Sequence, residues 1–242
     1  MSGNLRHLTL GTRSSELALR QTRQVEAMLR AAWPGLDVRT RAYVSSGDER
    51  LDVPADQLAP DAFVDRLERA LLDGEVDAVV HSYKDLPATA TAGLVIAAVP
   101  VRADPREALV ARDGHRLADL PPGAVVGTSS ARRSAWLRAL RPDLEARPIR
   151  GPVDSRVRQV MEGRYDAALL AAAGLERLDL AHHITEYFDL DVLPPAAAQG
   201  ALAVQCRASD AATSMLLAAI DDRALHAAVR AERELEAGAG AG

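Results

Sequence analysis

The sequence predicts an α/β protein built from two similar units with mainly parallel sheets, and three observations carry that prediction. Apolar runs of strand length alternate with stretches of helical periodicity, the pattern of repeated βαβ units. The strand-to-helix turn Gly11-Thr12-Arg13-Ser14-Ser15 returns later as Gly127-Thr128-Ser129-Ser130. A helix-to-strand element returns as well: Leu72-Asp73-Gly74-Glu75-Val76-Asp77-Ala78 is echoed by Met161-Glu162-Gly163-Arg164-Tyr165-Asp166-Ala167, and each leads into an apolar strand. At 242 residues and 48% apolar content the chain has enough material for two cores.

In chain order, a strand over about Leu5 to Leu10 breaks at Gly11 and enters a helix whose apolar positions include Leu17, Leu19, Val25, Met28 and Leu29. Ser14 or Ser15 is its natural N-cap. A strand from about Val38 to Val44 runs into the polar loop Ser45 to Arg50, which extends to Pro60; a helix over about Asp61 to Leu72 follows. The strand Val76 to Val80 then delivers His81-Ser82-Tyr83-Lys84-Asp85-Leu86-Pro87, and a strand Leu94 to Val99 closes the first unit. After a crossover at Pro100 to Pro105, the second unit repeats the scheme with strands at Val125, Leu144 to Ile149 and Tyr165 to Leu170. In open α/β sheets ligands bind where parallel strands end, which draws attention to the polar clusters at those points.

Composition narrows the function. A net charge of −5 argues against general nucleic-acid binding, and two Trp with two Phe leave no aromatic platform for bases. No segment approaches the ~20 apolar residues of a membrane span, and the amino terminus lacks the apolar core of a secretion signal, so the expected location is cytoplasmic. The single cysteine, Cys206, excludes a disulfide framework, and His182-His183 has no partner at ligand spacing, so no metal is expected. Of 29 basic residues only Lys84 is a lysine, which suggests that this position needs one. Arg132 and Arg133 stand in the first turn of a helix, where the backbone dipole disfavours cations. With Arg13, Arg150, Arg156 and Arg177 they make six guanidiniums near strand ends or helix starts, suited to gripping carboxylates or phosphates. Two serine-rich helix starts suggest two lobes closing on one anion, although Gly-Thr-Ser-Ser is also ordinary turn and cap chemistry, and an Arg-rich chain scatters arginines widely.

These same motifs, together with Arg150-Gly151-Pro152-Val153-Asp154-Ser155-Arg156, Leu170-Ala171-Ala172-Ala173-Gly174-Leu175-Glu176-Arg177 and Gln199-Gly200-Ala201, resemble the porphobilinogen deaminase (hydroxymethylbilane synthase) family of tetrapyrrole biosynthesis. The resemblance runs from Leu8 to about Arg233. It implies two periplasmic-binding-protein-like lobes around an interdomain anion cleft, about residues 1–99 with 200–218 and about 105–195, followed by a C-terminal helix and tail over 219–242. It implies condensation of porphobilinogen, with loss of ammonia, onto a dipyrromethane primer held through a cysteine thioether. Asp85 would be the catalytic carboxylate. Ser82, Lys84, Thr128, Ser129, Arg132, Arg133, Arg150 and Arg156 would hold the acetate and propionate groups, Arg13, Ser15, Arg177 and Gln199 would line the substrate side, and Asp48 would lie near the cofactor.

The sequence also departs from the family. The family's third domain and its cofactor cysteine are not found, Cys206 reads as a structural thiol, Pro152 replaces a usual asparagine, and Ala198 a usual glycine. A covalent dipyrromethane is therefore not expected on these residues. The chain reads as a truncated deaminase, as a relative acting on pyrroles without a covalent primer, or as a polycarboxylate-binding module. The retained Lys84-Asp85 pair favours chemistry, because a carboxylate among anions only repels a ligand. The expected partner is a small pyrrole polycarboxylate, with no nucleic acid and no membrane. Leu225, Val229 and Leu235 suggest a last helix whose apolar face is left exposed, giving a monomer or weak self-association.

Overall fold

The alternation of elements resolves into two five-stranded sheets of the same design. The computed structural model describes residues 7–50, 59 and 61–238, apart from the side chain of Asp48. In the first unit, β1 (His7–Arg13), α1 (Glu16–Ala32), β2 (Asp37–Tyr43), the one-turn α2 (Ser46–Glu49), α3 (Asp65–Leu72), β3 (Ala78–Ser82) and β4 (Leu94–Ala98) follow in order. The second holds β5 (Glu107–Ala111), β6 (Val125–Gly127), α4 (Ala131–Leu140), β7 (Glu145–Arg147), α5 (Val153–Met161), β8 (Ala167–Ala171), α6 (Ala172–Arg177) and β9 (Ile184–Phe188). The chain then returns to the first unit with β10 (Leu202–Arg207), α7 (Ala211–Ala218) and α8 (Arg223–Gly238). The described residues within Met1–Glu49, Pro60–Ala103 and Ala197–Gly242 form one unit, and those within Arg50–Ala59 and Asp104–Ala196 the other.

The strand orders are β2-β1-β3-β10-β4 and β7-β6-β8-β5-β9. Three parallel strands in each sheet are followed by one antiparallel strand, β10 or β5, contributed out of sequence. The sheets are thus mixed. The repeated aspartates explain the matching registers: Thr9 N donates to Asp77 Oδ2 at 2.7 Å while Asp77 N donates to Thr9 O at 2.9 Å, and the pair Val125 and Asp166 does the same at 2.8 and 2.9 Å. Gly74 and Gly163, at φ +75° and +79°, make the tight turns that deliver those aspartates.

Both faces of each sheet are covered. In the first unit, Leu8, Leu10, Val25, Leu29, Val204 and Leu217 fill one side, and α3 packs Leu67 and Leu71 on Val76, Val79 and Leu94. In the second, Leu109, Val126, Leu137 and Leu169 form one core and Val110, Ile149, Val160 and Leu170 another.

Several elements differ from the sequence expectation. Strand β7 is three residues long rather than spanning Leu144 to Ile149, and α3 begins at Asp65, after a turn at residues 61–64. Strands β5 and β9 were not anticipated; β5 is short and opens on a buried charge, Glu107, which masks its strand character. The loop over residues 51–58 with Pro60, and the tail 239–242, lie outside the described residues. The last helix is not an open face: Val229 is fully buried and Leu225 packs with it on the cluster of Val64, Tyr83 and Leu86, leaving only Leu235 of the three exposed. Among the described residues, no helix is long and apolar enough to cross a membrane.

The Gly-Thr turns carry a steric constraint. A Cβ on Gly11 would stand 3.1 Å from Val79 Cγ2, and one on Gly127 would stand 3.1 Å from Ile149 Cβ and from Tyr165 Cδ1. Gly127→Ala is therefore expected to destabilise the second unit by about 1–3 kcal/mol, the range for overpacking, seen as a lower urea midpoint; an unchanged midpoint would refute the constraint.

Candidate active site

Parallel pairing of β1 with β3 places their carboxyl ends side by side, and the candidate catalytic group arises there. Asp85 sits in a 3-10 turn, Tyr83–Asp85, directly after β3, and its Oδ2 lies 3.6 Å from Nη1 of Arg13, the last residue of β1. Both side chains stay partly exposed, at 32% and 23%, so the pair can still meet a ligand. The Arg13 guanidinium also stacks 4.9 Å over the ring of Phe63. Ser15 caps α1, its Oγ accepting from Ala18 N at 3.3 Å, and Gln21 on the same helix donates to Ser82 Oγ at 2.9 Å. A pocket in this unit is lined by Arg13, Ser15, Gln21, Phe63, Ser82 and Asp85, together with His81.

Lys84 points to a second strand of chain. Its Nζ donates to Oε1 of the buried Gln199 at 2.9 Å. Gln199 is held in a turn between Ala198 at φ +62° and Gly200 at φ +85°, left-handed geometry that costs about 1–2 kcal/mol for alanine and explains why a glycine suits position 198. Arg102 Nε donates to Gln199 O at 3.0 Å, and Glu232 from α8 accepts from both Arg102 and Ala198 N. Arg233, also from α8, donates to the carbonyls of Tyr83, Leu86 and Pro87 at 3.2, 3.0 and 2.6 Å. The Tyr83–Asp85 turn and the Gln199 turn are thus both braced by one helix.

In the second unit the cations collect around β6, α4 and α5. Ser130 caps α4, accepting from Arg133 N at 3.4 Å. Ser129 Oγ instead donates to Ile149 O at 2.7 Å and accepts from Ile149 N at 3.1 Å, and the buried Thr128 accepts from Ser130 N at 3.2 Å. Arg132 and Arg133 converge on Glu107, which is fully buried; Arg133 Nη2 lies 2.6 Å from its Oε2, while Arg132 Nη2 bonds its Oε1. Two guanidiniums share one carboxylate, so a net positive charge remains. Arg133 Nη1 also donates to Leu169 O at 2.9 Å. Among the described residues, the Nε atoms of Arg133 and Arg150 are buried without a hydrogen-bond partner, an arrangement that favours an anion nearby. Arg156 Nε donates to Gly151 O at 2.7 Å, and burial lowers the Arg177 guanidinium to about 10. The Asp48 side chain lies outside the described residues.

Glu107, Arg233, Glu232 and the buried polar set around His81 escaped the sequence reading. Glu107 is 25 residues from Arg132 and in an unanticipated strand. Only the unusual pair of arginines in a first helical turn hinted that a carboxylate must answer them. His81 is nearly fully buried, its Nε2 3.0 Å from Gln205 Oε1, and burial lowers its pKa to about 4. Among the described residues no group of three or more His, Cys, Asp or Glu is placed to hold a metal.

Two outcomes follow from these charges. Glu107→Gln strands two guanidiniums without their carboxylate and is expected to cost about 3–5 kcal/mol, as for other broken buried pairs, measured by urea unfolding; a loss under 1 kcal/mol would contradict the pairing. For His81, the unfolded chain takes a proton near pH 6.5 that the folded chain refuses until about pH 4. Its contribution to stability is complete above pH 6.5 and lost as pH falls towards 4, by roughly 3 kcal/mol at 1.36 kcal/mol per unit. Comparing the pH dependence of unfolding with that of His81→Asn measures it, and identical slopes would exclude a neutral buried imidazole.

Residues 8–215 match the family model described as porphobilinogen deaminase, dipyrromethane cofactor binding domain. The porphobilinogen deaminase of Acidothermus cellulolyticus is 52% identical over 240 residues, covering 97% of this chain and 72% of the relative. Those of Roseiflexus castenholzii and Deinococcus radiodurans are 50% and 46% identical, covering 97% and 98% of this chain and 78% of each relative. Among solved structures, the VFT2 domain of BvgS from Bordetella pertussis matches with a TM-score of 0.54 at 16% identity, covering 95% of this chain and 92% of that one. A periplasmic binding protein of Salmonella typhimurium matches with a TM-score of 0.50 at 15% identity, covering 95% and 98%. The fold is that of periplasmic binding proteins, and by sequence the chain belongs to the porphobilinogen deaminase family.

Proposed function

We propose that this chain condenses porphobilinogen, with loss of ammonia, into linear pyrrole oligomers, the hydroxymethylbilane synthase step of tetrapyrrole biosynthesis. The observation that carries the reading is Asp85, a partly exposed carboxylate paired with Arg13 at the end of two parallel strands. As the carbon–nitrogen bond of the aminomethyl group breaks, its electron pair leaves with ammonia, and positive charge spreads over the pyrrole and its methylene. A fixed carboxylate in a partly dehydrated pocket lowers the energy of that cation and accepts a pyrrole N–H. Arg13, with Nη1 3.6 Å from Asp85 Oδ2, holds the carboxylate in place. Ser15, Ser82, Lys84 and Gln199 line the same unit and suit the carboxylates of the substrate.

The dipyrromethane cofactor fits the donor chemistry in one respect and not in another. The unpaired Nε atoms of Arg133 and Arg150, the surplus charge around Glu107 and the dehydrated Arg177 suit its acetate and propionate groups. Arg132, Arg156, Thr128 and Ser129 belong to the same set of groups, and Asp48 is assigned to it from the resemblance alone. Bound there, the cofactor supplies the pyrrole carbon at which growth starts. The thioether anchor does not fit these residues: Cys206, their one cysteine, lies fully buried in β10, where burial raises its pKa and keeps it a thiol. That burial favours a second reading, in which this chain holds a pyrrole polycarboxylate by charge alone. The partner is in either case a small molecule, and a cytoplasmic location belongs to the same proposal.

Ammonia release from porphobilinogen by the purified chain tests the reading. Asp85→Asn is expected to reduce it by about 10²–10⁴-fold, the range for removing a general acid or base, while calorimetric binding of porphobilinogen stays within a few-fold. Binding without release in the unaltered chain would overturn turnover and leave the second reading standing.

A further inference from the structure

Behind Asp85 runs a buried line of polar side chains to which the chemistry above gives no role. Thr91 Oγ1 donates to Glu68 Oε2 at 2.7 Å, Gln205 Nε2 donates to Glu68 Oε1 at 2.8 Å, and Gln205 Oε1 meets His81 Nε2 at 3.0 Å. Glu68, Gln205 and His81 are 6%, 4% and 4% exposed. They come from three elements, α3, β10 and β3, and the antiparallel pairing of Ala203 with His81 and Gln205 with Val79 puts Gln205 and His81 on one face of the sheet.

The chemistry of this line fixes its protons. The Gln205 amide turns its NH₂ to the Glu68 carboxyl, donating through Nε2 to Oε1. Its carbonyl oxygen then faces His81 and accepts, so Nε2 of His81 carries the hydrogen. Nδ1 is left without a hydrogen bond among the described residues, on a residue that lines the pocket of Arg13 and Asp85. We infer that Glu68 and Gln205 form a positioning relay that holds His81 as the Nε2–H tautomer, so that Nδ1 accepts an N–H of the pyrrole ligand beside Asp85. The ligand half of this inference rests on the function proposed above.

A neutral acceptor has a purpose at this place. The pocket already holds one carboxylate, and a second anion would repel a ligand that is itself a polycarboxylate. An imidazolium would offer a donor where the ligand also presents a donor. Burial, which holds His81 well below its ordinary pKa, keeps the ring neutral across the physiological range, against the opposing influence of Glu68 and Asp85 and with that of Arg13.

Nitrogen NMR of the histidine-labelled chain tests the relay without any ligand, with the His81 signals assigned by their loss in His81→Asn. The expected result at pH 7 is a neutral ring protonated on Nε2. Glu68→Gln, nearly isosteric, lets the Gln205 amide face either way and is expected to give mixed tautomers; its unfolding midpoint checks that the fold is intact. Porphobilinogen affinity, measured by calorimetry, should then fall about 3–10-fold, the worth of one neutral hydrogen bond. A wild-type ring protonated on Nδ1, or charged, overturns the relay. A shifted tautomer in Glu68→Gln with unchanged affinity overturns the contact to ligand. A wild-type chain that neither binds porphobilinogen nor releases ammonia refutes the deaminase reading, and the contact with it, while the tautomer still decides the relay by itself.

Discussion

The reciprocal hydrogen bonds between an aspartate and the backbone of the first strand set the geometry of each unit. Asp77 closes on Thr9 and Asp166 on Val125, through a side chain in one direction and a backbone amide in the other. This fixes the register of β3 beside β1 and of β8 beside β6. Because a slip of one residue would turn every side chain to the other face, the clamp also decides what emerges where the strands end. At the end of β1 stands Arg13, and just beyond β3 stands Asp85. The Arg13–Asp85 pair is thus a consequence of a bond made at the opposite end of the same strands.

Much of this was legible in the sequence because its signals are local. The repeated Gly-Thr turn, the acidic-Gly turns Asp73-Gly74 and Glu162-Gly163 and the apolar runs lie within a few residues of the structure they specify. The position of Lys84 and Asp85 at a strand end follows directly from Val76 to Val80. What was not legible depends on pairs far apart in the chain. Glu107 answers Arg132 and Arg133 from another strand, and the partner of His81 lies 124 residues away. The Arg132-Arg133 doublet illustrates the limit. Cations in a first helical turn do demand an anion, but a good part of that demand is met inside the protein.

The two units differ in how they manage charge. The first brings a carboxylate to a pocket that Gln21 and Ser82 also line, with the Lys84-Gln199 contact in the same unit. The second keeps its carboxylate fully buried and leaves guanidinium charge in excess. An acid presented outward suits bond breaking that leaves a cation, and cations in excess suit retention of an anion. The α8 contacts to the carbonyls of Tyr83, Leu86 and Pro87 add rigidity where a carboxylate must not drift.

Burial of the lone thiol has a practical consequence. Cys206 lies in β10, the strand that joins β3 and β4 and whose neighbour Gln205 reaches His81. A thiol reagent can reach it only when that strand parts from the sheet. With no other cysteine in the sequence to confuse the signal, its rate of alkylation is a built-in clock for the opening of the layer from which Lys84 and Asp85 emerge.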